Sequence, residues 1–181
     1  MRVIAGSLKG RRLKSPTWEG LRPTSDKLRE TLFNVLAPRI AGARVLDGYA
    51  GTGAAGIEAL SRGAAFVTFV ERDRRAHTLI TENLAHCGVA TGYVIIPADI
   101  ARALAEAHAA GSTFDIVLLD PPYDHPTDAE LAIVAEVLAP GGIVVVEHAR
   151  RRPAPERAGR LTRSRDVLSG DSALAFYALG F

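Results

Sequence analysis

Residues 44–56 read Arg44-Val45-Leu46-Asp47-Gly48-Tyr49-Ala50-Gly51-Thr52-Gly53-Ala54-Ala55-Gly56. A short apolar strand ends on an acid, a glycine-rich turn follows, and a helix then runs through Ile57, Leu60 and Arg62. The unit repeats down the chain. Residues 66–70 form a second apolar strand ending at Glu71, and a helix over 74–86 follows, stopped by Gly88. Residues 93–96 form a third, with Asp99 just beyond and an alanine-rich helix up to Gly111. Ile116, Val117, Leu118 and Leu119 are apolar on both faces of a fourth strand, which must end at Asp120-Pro121-Pro122-Tyr123 because prolines cannot extend a ladder. A helix over 128–138 comes next, closed by Pro140-Gly141-Gly142, and residues 143–146 make the fifth strand. Five apolar strands alternating with helices predict a doubly wound, mostly parallel α/β sheet. Residues 161–168 and 173–179 flank Ser169-Gly170-Asp171-Ser172 with no room for a helix. They should pair as an antiparallel hairpin, giving seven strands in all.

The N-terminal forty residues do not follow this rhythm. Residues 1–14 alternate weakly around Gly6 and Gly10 and predict a small β-hairpin or extended arm. Pro16, Trp18 and Pro23 punctuate the next stretch. A helix is expected over 25–36, with Thr24 or Ser25 as N-cap and Pro38 ending it. Leu28, Leu32, Val35 and Leu36 form its buried stripe, with Lys27 and Arg29 outside it. The chain thus divides into an extension, 1–40, and a ligand-binding α/β unit, 41–181.

Charge separates these parts further. The net charge is +2, but residues 1–30 hold eight Lys and Arg against three acids, and residues 150–165 hold seven Arg against one Glu. Residues 31–149 hold seven basic and fourteen acidic side chains. An acidic centre with basic ends fits a polyanion partner, nucleic acid first. Cys87 is the only cysteine, so an internal disulfide and a thiolate metal cluster are excluded. His77, His86, His108, His125 and His148 show no paired metal spacing, and no metal is expected. No apolar run approaches the ~20 residues of a membrane span. The N-terminus lacks a signal peptide's apolar core. The expected address is cytoplasmic and the expected state a monomer.

Doubly wound sheets bind ligands beyond the C-terminal ends of their strands, at the point where strand order reverses. Asp47, Glu71, Asp99 and Asp120 all fall at or just past such ends. Gly51, Gly53 and Gly56 satisfy G-x-G-x-x-G, and Glu71 is placed for ribose hydroxyls, which suits NAD and S-adenosylmethionine alike. Asp47 before the turn, and the acidic centre, better suit a cofactor with a cationic amino-acid and sulfonium moiety. The Asp120 loop adds acceptors for an amino group, for which hydride transfer has no use.

The glycine turn, the acid after the second strand, the DPPY loop and the terminal hairpin together resemble Rossmann-like class I methyltransferases. RPTSDKLRETLFNVL (residues 22–36), GTGAAGIEALSRGA (51–64) and SGDSALAFY (169–177) resemble the RsmD-type family, which methylates guanine N2 in small-subunit (16S) rRNA. That resemblance implies S-adenosyl-L-methionine as cofactor, with Asp47, Ala50, Gly51, Thr52 and Gly53 at its methionine end. Glu71 and Arg72 would lie at the ribose, and Asp99 and Ile100 at the adenine. Asp120 and Pro121 would accept from the guanine amino group, Pro122 would keep the loop rigid, and Tyr123 would stack on the flipped base. Arg11, Arg12, Lys14, Arg22, Arg150, Arg151 and Arg152 are the expected RNA contacts, with 16S rRNA in an assembled or partly assembled subunit as partner. Gly48-Tyr49 departs from the bulkier apolar pair common in such families. The alternatives are a DNA or protein amino-methyltransferase, a non-catalytic RNA-binding module, and, on the glycine pattern alone, an NAD-dependent oxidoreductase.

Overall fold

The structure, a computed structural model, describes residues 1–19, 24–122 and 127–180. Helix α1 spans Asp26–Ile40, and the alternating units follow as β1 (Arg44–Gly48), α2 (Ala54–Ser61), β2 (Phe66–Val70), α3 (Arg74–His86), β3 (Tyr93–Ile96), α4 (Ile100–Ala109), β4 (Phe114–Leu119), α5 (Asp128–Val137) and β5 (Leu138–Ala149). β6 (Arg157–Ala158), β7 (Leu161–Ser169) and β8 (Ser172–Leu179) close the chain. They form one sheet in the order β3-β2-β1-β4-β5-β8-β7-β6. β1 to β5 are parallel, and β8 returns antiparallel to β5. The chain winds outward from β1 in one direction and from β4 in the other, so strand order reverses between β1 and β4. Apolar side chains fill both faces: Phe33, Val45, Ile57 and Phe69 belong to one core and Leu104, Val117, Leu131 and Tyr177 to the other.

The doubly wound sheet with its antiparallel hairpin agrees with the expected class, and four local readings are corrected. The sheet has eight strands rather than seven, because Arg157 and Ala158 pair with Thr162 and Leu161 at the edge. Pro140-Gly141-Gly142 does not cap a helix before a separate strand. β5 begins at Leu138, paired with Phe114, and the register shifts before Ile116 meets Ile143, absorbing the interruption as an irregularity. Pro38 lies inside α1, which runs on to the buried Ile40; burial of Ile40 outweighs the one backbone bond that proline forfeits. Arg29 is not on the outer face of α1 but 1% exposed.

That buried arginine explains how the N-terminal extension attaches. The arm folds back on itself as a short antiparallel hairpin, with an Arg2–Arg12 bridge and the Val3, Gly10 and Leu13 amides bonded to the Arg11, Val3 and Met1 carbonyls, and Val3 and Leu13 are buried in the same core as α1 and the sheet. Polar bonds fix the arm to α2. Glu58, wholly buried, accepts from the Ile4 and Ala5 amides at 2.7 and 3.0 Å and from Arg62 Nε at 2.7 Å. Ser61 Oγ accepts from the Leu8 amide and donates to the Ala5 carbonyl. Arg29 donates to the Arg2 carbonyl and to Asp26, with Nε 3.9 Å from Glu58. Glu58 thus sets one carboxylate beside the Arg62 and Arg29 guanidinium groups while accepting from two arm amides. Glu58→Ala should lower stability by about 3–5 kcal/mol, since it leaves two arm amides without their acceptor and removes the carboxylate beside Arg62 and the buried Arg29; denaturant melting checks this.

Candidate active site

The parallel register sets which side chains meet. Gly48 pairs with Leu119, and Leu119 with Val146, so the residues just beyond, Asp120 and Glu147, stand side by side. Asp47 lies at the end of β1, next to them. Glu71 follows β2 directly, and Asp99 is the N-cap of α4, its side chain accepting from Arg102 N. The acids expected at strand ends therefore line one edge of the sheet, at the reversal point where such sheets bind ligands.

The turn after β1 is built over these acids. Gly51 and Gly53 take positive φ of 55° and 78°, and a Cβ on Gly53 would stand 3.1 Å from Ile80 Cγ2. The Gly51 amide donates to Glu71 Oε2 at 2.9 Å, and Glu71 Oε1 accepts from the Asp73 amide at 2.8 Å. Asp47 Oδ2 accepts from the Gly56 amide at 2.8 Å, bracing the first turn of α2 from below. Thr52 is buried, its carbonyl accepting from Asn83 Nδ2 at 2.9 Å. Asn83 also bonds both the amide and the carbonyl of Lys14. One buried amide side chain thereby joins the glycine turn to the basic arm.

Gly48 and Ile100 make the adjoining wall. A Cβ on Gly48 would lie 2.7 Å from Ile100 Cδ1 and 2.8 Å from Leu119 Cδ2, so the small residue gives Ile100 its place against the end of β1. Tyr49 follows with φ of 72°, an uncommon conformation for an aromatic residue. Its hydroxyl donates to Glu130 Oε1 on α5 at 2.5 Å. Burial, and then the Glu130 bond, raise its pKa. The exposed Arg72 and Asp99 both act electrostatically on that hydroxyl.

At the other side of the reversal point the Thr24 hydroxyl stands between two carboxyl groups, 3.0 Å from Asp120 Oδ2 and 3.2 Å from Glu147 Oε2. The Asp120 amide lies 3.5 Å from the Gly48 carbonyl. Pro121 is buried and Pro122 exposed. Burial pushes Asp120 up to about 6, with the Thr24 bond opposing it. Burial and the nearby Asp120 push Glu147 up to about 7. Asp47 also rises to about 7, by burial first, against the Gly56 bond, with Asp120 and Glu71 adding repulsion. Three carboxyl groups displaced toward neutrality at one strand edge are what a site for proton-handling chemistry contains.

Tyr123, His125 and Arg22 lie outside the described residues. Arg11, Arg12 and Lys14 are exposed on the arm, where Lys14 Nζ also pairs with Glu82 at 3.0 Å. Arg150, Arg151 and Arg152 are exposed just after β5, at the same sheet edge as Glu147. Trp18 lies under the Arg75 guanidinium, its ring centroid 5.0 Å away. Glu147 and Thr24 went unread as site residues. Glu147 obeys the rule that picked out the other acids, because it follows the apolar run Val144-Val145-Val146. Thr24 gave no signal beyond its candidacy as an N-cap, a role that Ser25 fills.

Residues 1–178 match the family model described as Conserved hypothetical protein 95. The chain is 36% identical over 180 residues to ribosomal RNA small subunit methyltransferase D of Escherichia coli strain K12, covering 98% of this chain and 89% of that one. The chain belongs to the ribosomal RNA small subunit methyltransferase D family. The Haemophilus influenzae member is 38% identical over 157 residues, covering 84% of this chain and 81% of its own. A solved hypothetical protein of Thermus thermophilus superposes with a TM-score of 0.83 at 30% identity, over 97% of this chain and 98% of its own. The methyltransferase D family therefore spans arm, glycine turn and terminal hairpin alike, and no described helix is long and apolar enough to cross a membrane.

The buried acids give this family member a pH signature. A carboxyl whose pKa rises on folding stabilises below its unfolded value, and that contribution is lost as pH climbs through the folded value. For Asp47 the window runs from 3.8 to about 7. Asp47→Asn, which keeps an acceptor for Gly56, should gain stability relative to the wild type across that window. Urea melts at several pH values check the sign.

Proposed function

We propose that this protein uses S-adenosylmethionine to methylate the exocyclic N2 amino group of a guanine in small-subunit ribosomal RNA. The observation that carries the reading is the Asp120-Pro121 loop set beside the glycine turn at the strand reversal of a methyltransferase D family member. The donor and acceptor set fits the cofactor. Positive-φ glycines keep the turn free of side chains, and buried carboxylates below it favour a cationic sulfonium and ammonium group. Glu71 uses one lone pair on each oxygen for Gly51 and Asp73, and a carboxylate offers about four such sites, so ribose hydroxyls can still be accepted. Asp99, exposed, can accept the adenine amino group with the oxygen not engaged by Arg102. Ile100 would pack at the ring. Asp47, Ala50, Thr52, Gly53 and Arg72 complete that half of the site.

When bound, the cofactor would supply an electrophilic methyl group, its C–S electron pair staying on sulfur as the N2–C bond forms, and the proton lost from the methylated amine would pass to Asp120 or to water. What remains for the protein is to make the amine a nucleophile. Its lone pair is delocalised into the base, and acceptors at Asp120 and the Pro121 carbonyl draw its hydrogens so that the pair faces the methyl. Pro122 stiffens the loop and Tyr123 stacks on the extruded base. Holding both reactants in line can contribute up to about 7–11 kcal/mol of barrier lowering. In this reading residues 41–181 carry cofactor and chemistry. Residues 1–40 carry RNA contacts, joined by Arg22 and by Arg150 to Arg152, on 16S rRNA within an assembled or partly assembled subunit in the cytoplasm. The enzyme would act as a monomer.

Asp120→Ala should abolish methyl transfer to small-subunit RNA while leaving the Kd for S-adenosylmethionine nearly unchanged. Transfer of labelled methyl, with calorimetry of the same preparation, checks both halves, and wild-type turnover would remove the loop from the reaction. Neutral substitutions at Arg11, Arg12 and Lys14 should weaken RNA binding and flatten its salt dependence by about 0.7–0.9 in log–log slope for each phosphate left unneutralised. Filter binding across a salt series measures that slope.

A further inference from the structure

The Thr24 hydroxyl carries one hydrogen, yet it lies within hydrogen-bond distance of Asp120 Oδ2 at 3.0 Å and Glu147 Oε2 at 3.2 Å. Three oxygens in a row need two hydrogens between them. One belongs to Thr24, so the other must sit on a carboxyl group. With both carboxylates ionised, one contact would be a lone pair facing a charge.

We propose that Thr24 and Glu147 are positioning residues for Asp120: a protonated Glu147 carboxyl donates to Thr24 Oγ1, and the Thr24 hydroxyl donates to Asp120 Oδ2. The role deepens the amino-methyl-transfer reading and rests on it. Asp120 Oδ2 is then occupied by a fixed donor, and Oδ1 is left as an ionised acceptor for the substrate amine.

The surroundings decide which carboxyl group holds the hydrogen. Glu147 is 8% exposed, on β5 between β4 and β8. It faces Asp120 from β4, Thr24 from the segment before α1, and the Ser172 hydroxyl from β8, which bonds to it. Asp120, half-buried just after β4, itself faces Asp47 on β1, which in turn feels Glu71. Every charge in this set is negative, so adding a proton relieves repulsion, and burial raises the pKa of both carboxyl groups, with Asp120 adding to the rise at Glu147; the strand residue, with less of its surface exposed, is the one that holds the proton. With the proton on Glu147, Asp120 keeps its charge. As pH rises, Glu147 ionises and competes for the Thr24 hydrogen. As pH falls, Asp120 protonates and stops accepting.

The test compares wild type with Glu147→Gln, Glu147→Ala, Thr24→Ser and Thr24→Val. Gln is isosteric and its amide donates to Thr24 at every pH; Ala donates nothing. Glu147→Ala should lower kcat by about five- to tenfold, the value of one hydrogen bond, with the Kd for S-adenosylmethionine unchanged. Glu147→Gln should restore most of that rate and remove only the alkaline limb of the pH profile. Thr24→Val should resemble Glu147→Ala, and Thr24→Ser the wild type. A Gln variant as slow as the Ala variant, or one that keeps the alkaline limb, overturns the assignment. Infrared spectra of protein with isotope-labelled glutamate read the proton without turnover: a protonated carboxyl band titrating near neutral pH should vanish in Glu147→Gln. Absence of that band overturns the assignment whatever the activity. A band present in a protein that transfers no methyl to RNA would instead count against the proposed function.

Discussion

Burial of negative charge at one edge of the sheet is the constraint that the rest of this structure accommodates. Asp47, Glu71 and Glu147 are buried at the ends of neighbouring parallel strands, and Asp120 is half-buried beside them. Unpaired carboxylates in such a place would be costly, and each is answered locally. Glu71 and Asp47 take backbone amides from the glycine turn and the start of α2, while Asp120 and Glu147 share a hydroxyl from outside the α/β unit. The glycine turn matters here because positive φ at Gly51 and Gly53 turns main-chain donors toward the acids. The same arrangement that makes the acids tolerable makes a surface suited to a cationic cofactor and an amine.

The N-terminal extension is wired into this arrangement at three places. Glu58 ties it to α2, Asn83 ties Lys14 to Thr52 in the glycine turn, and Thr24 ties it to Asp120 and Glu147. The glycine turn, the Asp120 loop and the N-terminal extension thus share hydrogen bonds through buried and half-buried side chains.

Much of this was legible in the chain. Period and punctuation gave β2, α3 and β3 at their observed bounds, because Gly88 and the strand-end acids are strong local signals. Asp47, Glu71, Asp99 and Asp120 were found by position rule, and Glu147 obeys the same rule one strand further on. The misreadings have physical causes. Arg29 looks solvent-facing by type, and its burial rests on Asp26 together with the distant Arg2 carbonyl and Glu58. Pro38 and Pro140-Gly141-Gly142 read as breaks, but burial of Ile40 and pairing of Leu138 with Phe114 override them. Thr24 could not be recognised from sequence, since its partners lie 96 and 123 residues away.

The central claim is that these acids serve methyl transfer to a guanine amino group, and the most direct test identifies the product. Small-subunit ribosomal RNA lacking the modification would be incubated with the protein and methyl-labelled S-adenosylmethionine, digested to nucleosides and analysed by mass spectrometry. The account predicts label in N2-methylguanosine alone. Label in any other nucleoside, or none in a preparation that binds the cofactor, would contradict it.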